Sequence, residues 1–230
     1  MLLKRIVLLA NSRKHAGRCL AGRELNGQAA LGWIRPVSNR PGEELSEKER
    51  ELENGADPQV LDLVDVPLSH ANPHACQTEN WLIDDNYYWT KVGSLNWQQA
   101  SALAENPPTL WVNGDSTYNG KNDQIPQQIA AGLASSICMI RVNSLELHVL
   151  VPGKDFGNPK KRVQARFRFN GVDYWLWVTD PRIERAYLAG EPRVEHIGES
   201  LLTVSLSEPH SKSDGSIYQY KLVAMLLARF

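Results

Sequence analysis

The apolar and polar positions of this chain follow the pattern of β-strands along most of its length. Apolar residues occur in short runs or alternate with polar residues at a period of two, which is typical of strands with one buried face. The predicted strands are residues 2–10 and 32–37 and the runs that begin at Val60, Ile137, Leu145, Val163, Val172 and Leu201. The last run, YKLVAMLLARF, fits a strand or a helix by periodicity, and we predict a strand.

Helices are predicted at a few short intervals. Ser94 is in the position of an N-cap for LNWQQASALAE, and a second helix is predicted from Ile125, with a proline in its first turn. The best-defined helix is RIERAYLA, because Asp180 is a good N-cap, Pro181 fits the first turn and Gly190 follows the end.

The acidic segment EELSEKERELENG is predicted as a further short, solvated helix. Glu44 lies four residues before Lys48, Gly55 provides a stop signal, and only Leu45 and Leu52 are placed to face a core. We interpret this segment as a surface element without a binding role.

These elements predict a mainly β protein with a few short helices, of the α+β class. Two sets of strands, each with a helix and an early basic block, indicate two small β-barrel units packed together. We place the first unit at residues 1–135, with a helical insertion, and the second at residues 136–230, although no residue-level repeat relates them.

The composition predicts a globular cytoplasmic protein. Of the 230 residues, 42% are apolar and 22% are charged, which excludes a disordered tail, a collagen-like fibre and a disulfide-stapled mini-protein. Three widely spaced cysteines, Cys19, Cys76 and Cys138, indicate free thiols in a reducing compartment. The N-terminal apolar run lacks a signal-peptide cleavage site, and no apolar stretch has the ~20 residues that a membrane span needs. We therefore expect no membrane partner.

Charge is nearly balanced, with 25 basic and 26 acidic residues, but it is arranged in blocks. Residues 1–40 carry eight basic side chains and one acidic side chain, Glu24, whereas residues 43–65 carry nine acidic and two basic ones. The net charge of -1 indicates no global attraction to a polyanion, so any such attraction must come from a local surface.

The most informative segment is VQARFRFNGVDYWLWVT. The Asn-Gly pair at 170–171, between two alternating runs, predicts a two-residue type I′ turn and fixes the register of a β-hairpin. Phe169 then faces Val172, and the pairing continues to Arg162 opposite Thr179. Because side chains alternate between the two faces, the hairpin has one apolar face, which is predicted to pack in a core.

The other face of the hairpin is basic and aromatic. The residues predicted on it are Arg162, Gln164, Arg166, Arg168, Asp173, Trp175, Trp177 and Thr179. Guanidinium groups neutralise phosphates and indole rings stack on bases, so this pattern is typical of single-stranded nucleic-acid binding. The alternative is that another part of the chain covers the two indoles and that the arginines only pack against them. The preceding loop adds Lys154, Lys160 and Lys161.

A second basic segment, NSRKHAGR, is predicted as a loop that follows the first strand. Arg13, Lys14, His15 and Arg18, with Gly17 among them, favour contact with a phosphate backbone. The segment lacks the spacing of a P-loop or of a dinucleotide-binding loop, so nucleotide hydrolysis has little support.

Metal and catalytic sites have weaker support in the sequence. His70, His74 and Cys76 are zinc-ligand types, but no fourth ligand lies at a recognisable spacing, so we predict no metal and no cofactor. Cys19, near His15, is the only candidate nucleophile, and we predict no catalytic residue.

Four strings carry a family resemblance: KRIVLLANSRKHAGRCLAG and GWIRPVS near the start, and QARFRFNGVDYWLWVTDPRIERAYLAG and IGESLLTVSLSEP later. They resemble the dual OB-containing domain family of bacterial proteins over nearly the whole chain. The resemblance implies two OB-like barrels and similarity to components encoded near bacterial defence or mobile-element systems, with a nucleic-acid-sensing role. OB barrels bind oligonucleotides on the exposed face of their central strands, where the basic and aromatic face of the hairpin is expected to lie.

The leading hypothesis is a non-catalytic module that binds single-stranded DNA or RNA rather than duplex. Its predicted surface consists of Arg162, Arg166, Arg168, Trp175, Trp177, Lys160 and Lys161, and a second basic patch consists of Arg13, Lys14, Arg18 and Arg35. One alternative is a protein-interaction or scaffold module that uses the same arginine and tryptophan face. Another is an enzyme or a small-molecule (nucleotide) sensor in the cleft between the units, lined by His15, Cys19 and Asp84.

Overall fold

Strands account for most of the chain, as the period-two pattern predicts. The computed structural model describes residues 1–14, 16–27, 29–154 and 157–229. The chain divides into a first unit, Met1–Leu103 with Ala134–Ser136, and a second unit, Ala104–Leu133 with Ile137–Phe230. No helix in these described ranges is long and apolar enough to cross a membrane. The prediction of a mainly β protein with a few short helices is confirmed.

The first unit is a closed barrel. Its described elements are β1 (Leu2–Lys14), β2 (Gly17–Asn26), β3 (Ala29–Val37), β4 (Asp62–Ala71), β5 (Asn80–Ile83), β6 (Thr90–Ser94) and α1 (Trp97–Ser101). The strand order is β1-β2-β3-β5-β4, with β3 parallel to β5, and β4 pairs back onto β1. A five-stranded Greek-key barrel is the OB architecture.

Alternating residues of these strands fill the barrel. The buried cluster of the first unit consists of Ile6, Leu8, Leu20, Ile34, Leu45, Leu52, Val64, Val66, Leu68, Ile83 and Trp89. Because successive strand residues point to opposite faces, the neighbours of Ile34 on β3 point away from this interior.

The second unit repeats this topology. Its described elements are β7 (Gln124–Pro126), α2 (Gln127–Ala130), β8 (Ile137–Val142), β9 (Leu145–Leu150), β10 (Arg162–Phe169), β11 (Val172–Val178), α3 (Pro181–Tyr187), β12 (Arg193–His196), β13 (Ser200–Leu206), β14 (His210–Ser211) and β15 (Ile217–Ala228). The order is β9-β10-β11-β15-β13-β8, with β11 parallel to β15. The strands β8 and β9 together correspond to β1. In the first unit β1 pairs with both β2 and β4, whereas in the second unit β9 pairs with β10 and β8 pairs with β13.

Residues 104–133 belong to the second unit and pack against its barrel strands. The Leu110 amide donates to the Tyr174 hydroxyl over 3.2 Å, and Lys121 and Trp175 exchange two backbone hydrogen bonds. The Lys221 ammonium donates to the Val112 carbonyl over 2.7 Å. These contacts hold the segment along β11 and β15.

The acidic segment 43–55 is not a helix, so that prediction is wrong. Only a 3-10 turn forms, over Lys48–Arg50. The backbone of Leu45 pairs with Arg18, that of Leu52 bridges to Trp89, and the buried Arg50 binds Asp57. A helix this short is marginal in isolation, so these tertiary contacts determine the conformation. The prediction that Leu45 and Leu52 face a core is confirmed.

Three local predictions differ from the structure in extent. The predicted loop 11–18 consists mostly of the ends of β1 and β2, because Arg13 pairs with Arg18 and Lys14 pairs with Gly17. The helix after Ser94 has only five residues, and Asn96 rather than Ser94 caps it, by accepting from the Gln99 amide. The second helix has four residues. The helix capped by Asp180 and the final strand are confirmed.

Candidate nucleic-acid interface

The hairpin of β10 and β11 has the predicted register. Gln164 pairs with Trp177 and Phe169 pairs with Val172, with every residue between them paired in sequence. The turn residues 170–171 have positive φ angles of 46° and 82°, as a type I′ turn requires. In barrel order, this hairpin provides the second and third strands of the second OB unit.

The two faces of the hairpin separate as predicted. Its apolar face packs in the core of the second unit, and the residues that it contributes are Val163, Ala165, Phe167, Phe169, Tyr174, Leu176 and Val178. The other face carries the arginines and tryptophans, but these side chains are buried to different depths.

Arg166 covers Trp175 at the centre of this face. Its guanidinium carbon lies 4.0 Å from the centroid of the indole ring, and both residues are half-buried. The Arg166 Nε donates to the Gln164 side-chain oxygen over 2.8 Å, which fixes the guanidinium group. Burial lowers the pKa of Arg166, and the Glu146 carboxylate acts in the opposite direction.

Arg162 covers Trp177 in the same manner, at 4.2 Å. Trp177 is only 9% exposed, so it is not the open stacking platform that the sequence predicts. Gln164 is fully buried, and its side-chain amide donates a hydrogen bond to the Asn119 carbonyl over 2.6 Å. Burial lowers the pKa of Arg162, and the charge of Glu184 opposes that shift.

A cavity of about 340 Å³ lies beside Trp177. Tyr118 and Tyr220 contribute aromatic walls, and Thr117, Asn119 and Arg162 contribute polar atoms. A mainly apolar recess with a few polar groups is the usual character of a small-ligand site. Tyr118 is 90% exposed, so one wall of the cavity is a ring that solvent reaches freely.

A second cavity, of about 630 Å³, lies towards the turn end of the hairpin. Arg141, Arg166, Arg168 and Trp175 line it. Arg168 is exposed, and its Nε lies 4.0 Å from the Asp173 carboxylate. Arg141 is exposed as well, and its guanidinium group is paired with Glu199.

Two acidic residues limit the positive charge of this surface. Asp173 accepts a hydrogen bond from the Lys121 ammonium over 2.8 Å, and that bond lowers the pKa of Asp173. Glu146 lies 2.9 Å from His148 Nε2 and 3.3 Å from His196 Nδ1. The hydrogen bond with His148 is the main cause of the lowered pKa of Glu146.

The lysines of the preceding loop differ in their surroundings. Lys160 is exposed, as is Lys154. Lys161 is half-buried, and its ammonium donates to the Gly190 carbonyl over 2.6 Å. Lys161 therefore anchors the residues after α3, whereas Lys160 is available to a ligand.

The second predicted patch, on the first unit, is not a single surface. Arg35 is buried, with its guanidinium 2.9 Å from Glu79 and 2.9 Å from the Ser136 hydroxyl. This internal ion pair removes Arg35 from the candidate surface. Arg13 is exposed and lies opposite Arg18 across β1 and β2, so these two remain on one face. Lys14 is half-buried at the end of β1.

Part of the basic block of residues 1–40 is neutralised in the structure. Carboxylates bind several of its cations, among them those in the pairs Lys4–Glu24, Arg5–Asp65, Arg35–Glu79 and Arg40–Glu49. Three of these acids lie outside the block, which explains why a charge count along the chain overestimates the basic character of this surface.

Gly17 has a packing role rather than a role in anion binding. It is buried in β2, where an added Cβ would lie 2.5 Å from the Leu45 carbonyl oxygen. That carbonyl accepts from the Arg18 amide, so the glycine allows the segment around Leu45 to approach β2 closely.

The candidate metal and catalytic residues are dispersed. In the described part of the chain, no group of three His, Cys, Asp or Glu side chains is arranged to hold a metal ion. His15 lies outside the described residues, and Cys19 is half-buried in β2. The Asp84 carboxylate accepts from the Asn86 side-chain amide, which is a turn contact.

Sequence reasoning missed the contribution of residues 117–122 to this face. The segment places Tyr118 beside Trp177, and it places the Lys121 ammonium 5.9 Å from the Trp175 ring and in contact with Asp173. A loop that is distant in sequence and has no strand periodicity gives no signal of such pairing.

Comparison with known proteins gives one result. The family model described as the dual OB-containing domain matches residues 4–226. No curated protein and no solved structure matches the chain.

Proposed function

Because the chain belongs to the dual OB-containing domain family, whose architecture is of a type that binds nucleic acids, we propose that its second unit binds single-stranded DNA or RNA. The proposed surface is the outer face of β10 and β11. A bacterial defence or mobile-element setting and a cytoplasmic location, which the resemblance and the composition imply, stay predictions.

One observation carries the proposal: two arginine–tryptophan stacks lie next to each other on the second and third strands of an OB barrel. The guanidinium groups cover the indoles, so a base stacks on an arginine plane rather than on a bare ring. Arg166 and Arg162 are then positioned both to stack on bases and to neutralise phosphates.

The cavity beside Trp177 supports a single-stranded ligand. Its volume of about 340 Å³ and its aromatic walls suit one flat, unpaired base. The bases of a duplex are stacked and paired, so moving one of them into such a recess costs the free energy of unpairing and unstacking that base. We therefore expect single strands to bind more tightly than duplexes.

Exposed basic side chains at both ends of β10 also support the proposal. Arg168 is exposed at the hairpin end, and Lys160 is exposed before β10. Phosphate contacts from such side chains make affinity fall with salt, with a slope of about −0.7 per contact for single strands. A partner protein docking on the same face would show weaker dependence on salt, because its contacts with tryptophan and arginine include apolar burial.

The test is a titration of labelled single-stranded DNA, single-stranded RNA and duplex, followed by fluorescence anisotropy at several salt concentrations. We expect tighter binding of single strands, and a loss of about tenfold in affinity for the double variant Arg166→Ala with Trp175→Ala. Lys48→Ala, at an exposed lysine of the first unit, is the control for loss of one positive charge. Unchanged affinity of the double variant, measured on folded protein, would contradict the proposal.

A further inference from the structure

The first unit carries an arginine–tryptophan pair at the position of the Arg166–Trp175 pair. In barrel order, β2 and β3 correspond to β10 and β11, since both pairs form the second and third strands. Arg23 is the direct cross-strand partner of Trp33, as Arg166 is of Trp175. The correspondence is one of structure, because no residue-level repeat relates the two halves.

The position relative to the turn also agrees. Arg23 lies three residues before Asn26, the last paired residue of β2, and Arg166 lies three residues before Phe169, the last residue of β10. On the return strand, β3 has one additional residue before Trp33, where the register shifts. Such a bulge leaves the cross-strand partners on the same face.

Both members of the pair point away from the barrel interior. Ile34, the neighbour of Trp33, is in the core of the first unit, so Trp33 and its partner Arg23 lie on the outer face. Arg23 and Trp33 are half-buried, as are Arg166 and Trp175.

The side-chain geometry is similar but looser. The Arg23 guanidinium carbon lies 5.8 Å from the Trp33 ring centroid, compared with 4.0 Å in the second unit. In both pairs the arginine Nε donates a hydrogen bond of 2.8 Å, from Arg23 to the Leu31 carbonyl and from Arg166 to the side chain of Gln164. Each guanidinium group is thus oriented over its indole through the same nitrogen.

We infer that the outer face of β2 and β3 is a second binding surface for single-stranded nucleic acid, centred on Arg23 and Trp33. This inference rests on the function proposed for the second unit. One chain therefore binds two short oligonucleotides, one on each unit. The longer distance between Arg23 and Trp33 makes the site on the first unit the weaker one, because the cation and the ring form a less complete stacking platform.

Stoichiometry tests the inference. OB folds cover about 4 to 16 nucleotides, so an oligothymidine of six nucleotides is short enough to occupy one unit. Native mass spectrometry of the full chain should show two oligonucleotides bound, and one for Arg23→Ala with Trp33→Ala. The double variant Arg166→Ala with Trp175→Ala should also retain one, and Lys48→Ala should retain two.

Cross-linking of the unaltered chain gives a second readout that does not depend on a variant that folds. Trypsin cuts after lysine and arginine but not before proline, so Trp33 lies in the peptide 24–48, and Trp175 and Trp177 lie in the peptide 169–182. Ultraviolet cross-linking to the same oligonucleotide should label both peptides. Labelling of 169–182 alone, with one oligonucleotide per chain, would overturn the inference and leave the proposed function standing. An absence of binding would overturn both.

Discussion

Glu146 and Arg166 are direct cross-strand partners on β9 and β10, so a carboxylate lies beside the cation that covers Trp175. The same carboxylate contacts His148 and His196. A negative charge at this position would oppose a phosphate that approaches Arg166, so we expect it to lower the affinity of the proposed surface.

Replacing this acid should strengthen binding. We expect Glu146→Gln to raise affinity for single-stranded DNA roughly threefold, the scale of an exposed charge interaction, because the amide keeps a similar shape without the charge. Fluorescence anisotropy at low salt measures the change. Glu53→Gln, at an exposed acid of the first unit, is the control. Equal or weaker binding by the Glu146 variant would show that this carboxylate does not face the ligand.

Arg168 should act through charge alone, since its side chain is largely exposed to solvent. For Arg168→Ala we expect weaker binding of all sequences alike and a salt slope that is smaller by about 0.7. The measurement is the affinity for several oligonucleotides at four salt concentrations. Arg185→Ala, at an exposed arginine of α3, should leave the slope unchanged. A loss of affinity confined to one sequence would contradict this role.

Alanine substitutions of the two tryptophans should differ in their effects on stability and on binding. Trp177→Ala removes a nearly buried ring and should lower the free energy of unfolding by about 3 to 5 kcal/mol. Trp175→Ala removes a half-buried ring, so it should cost less stability and act mainly on affinity. Urea denaturation and anisotropy together test this difference. Equal losses of stability in both variants would show that the two rings have the same structural role.

Lys221 should make stability depend on pH. Burial lowers its pKa from 10.5 to about 7, although Asp123 and Asp115 act in the opposite direction. Above pH 7 the native lysine is neutral while the unfolded one still holds its proton. The unfolded state therefore binds more protons, and the free energy of unfolding rises by up to about 1.4 kcal/mol per pH unit, until the pH nears 10.

The variant Lys221→Met should lose this contribution to the pH dependence, whatever its own stability. Urea denaturation at pH 7, 8 and 9 measures the slope. Lys48→Met, at an exposed lysine, should keep the slope of the unaltered chain. If Lys221→Met also keeps it, Lys221 is not the residue responsible.

The sequence predicts the hairpin in detail because its determinants are local. An Asn-Gly turn fixes the pairing from Gln164 to Trp177, and alternation then assigns each side chain to a face. The helix capped by Asp180 was predictable for the same reason, since Asp180 accepts from the Arg182 amide two residues later.

The depth of burial on the outer face was not predictable, because distant residues determine it. Gln164 is covered through Asn119, and Arg35 is buried through Glu79 and Ser136. None of these contacts leaves a periodic pattern in the chain. The conformation of the acidic segment is likewise determined by its backbone pairing with Arg18 and Trp89, although its composition favours a helix.

The packing of residues 104–133 against the second barrel determines how the chain can be divided for expression. Leu110 belongs to the core of that barrel, and β7 pairs with β15. A fragment that begins at residue 137 would lack both and would expose the apolar surface that they cover. A soluble fragment of the second barrel should therefore begin near residue 104.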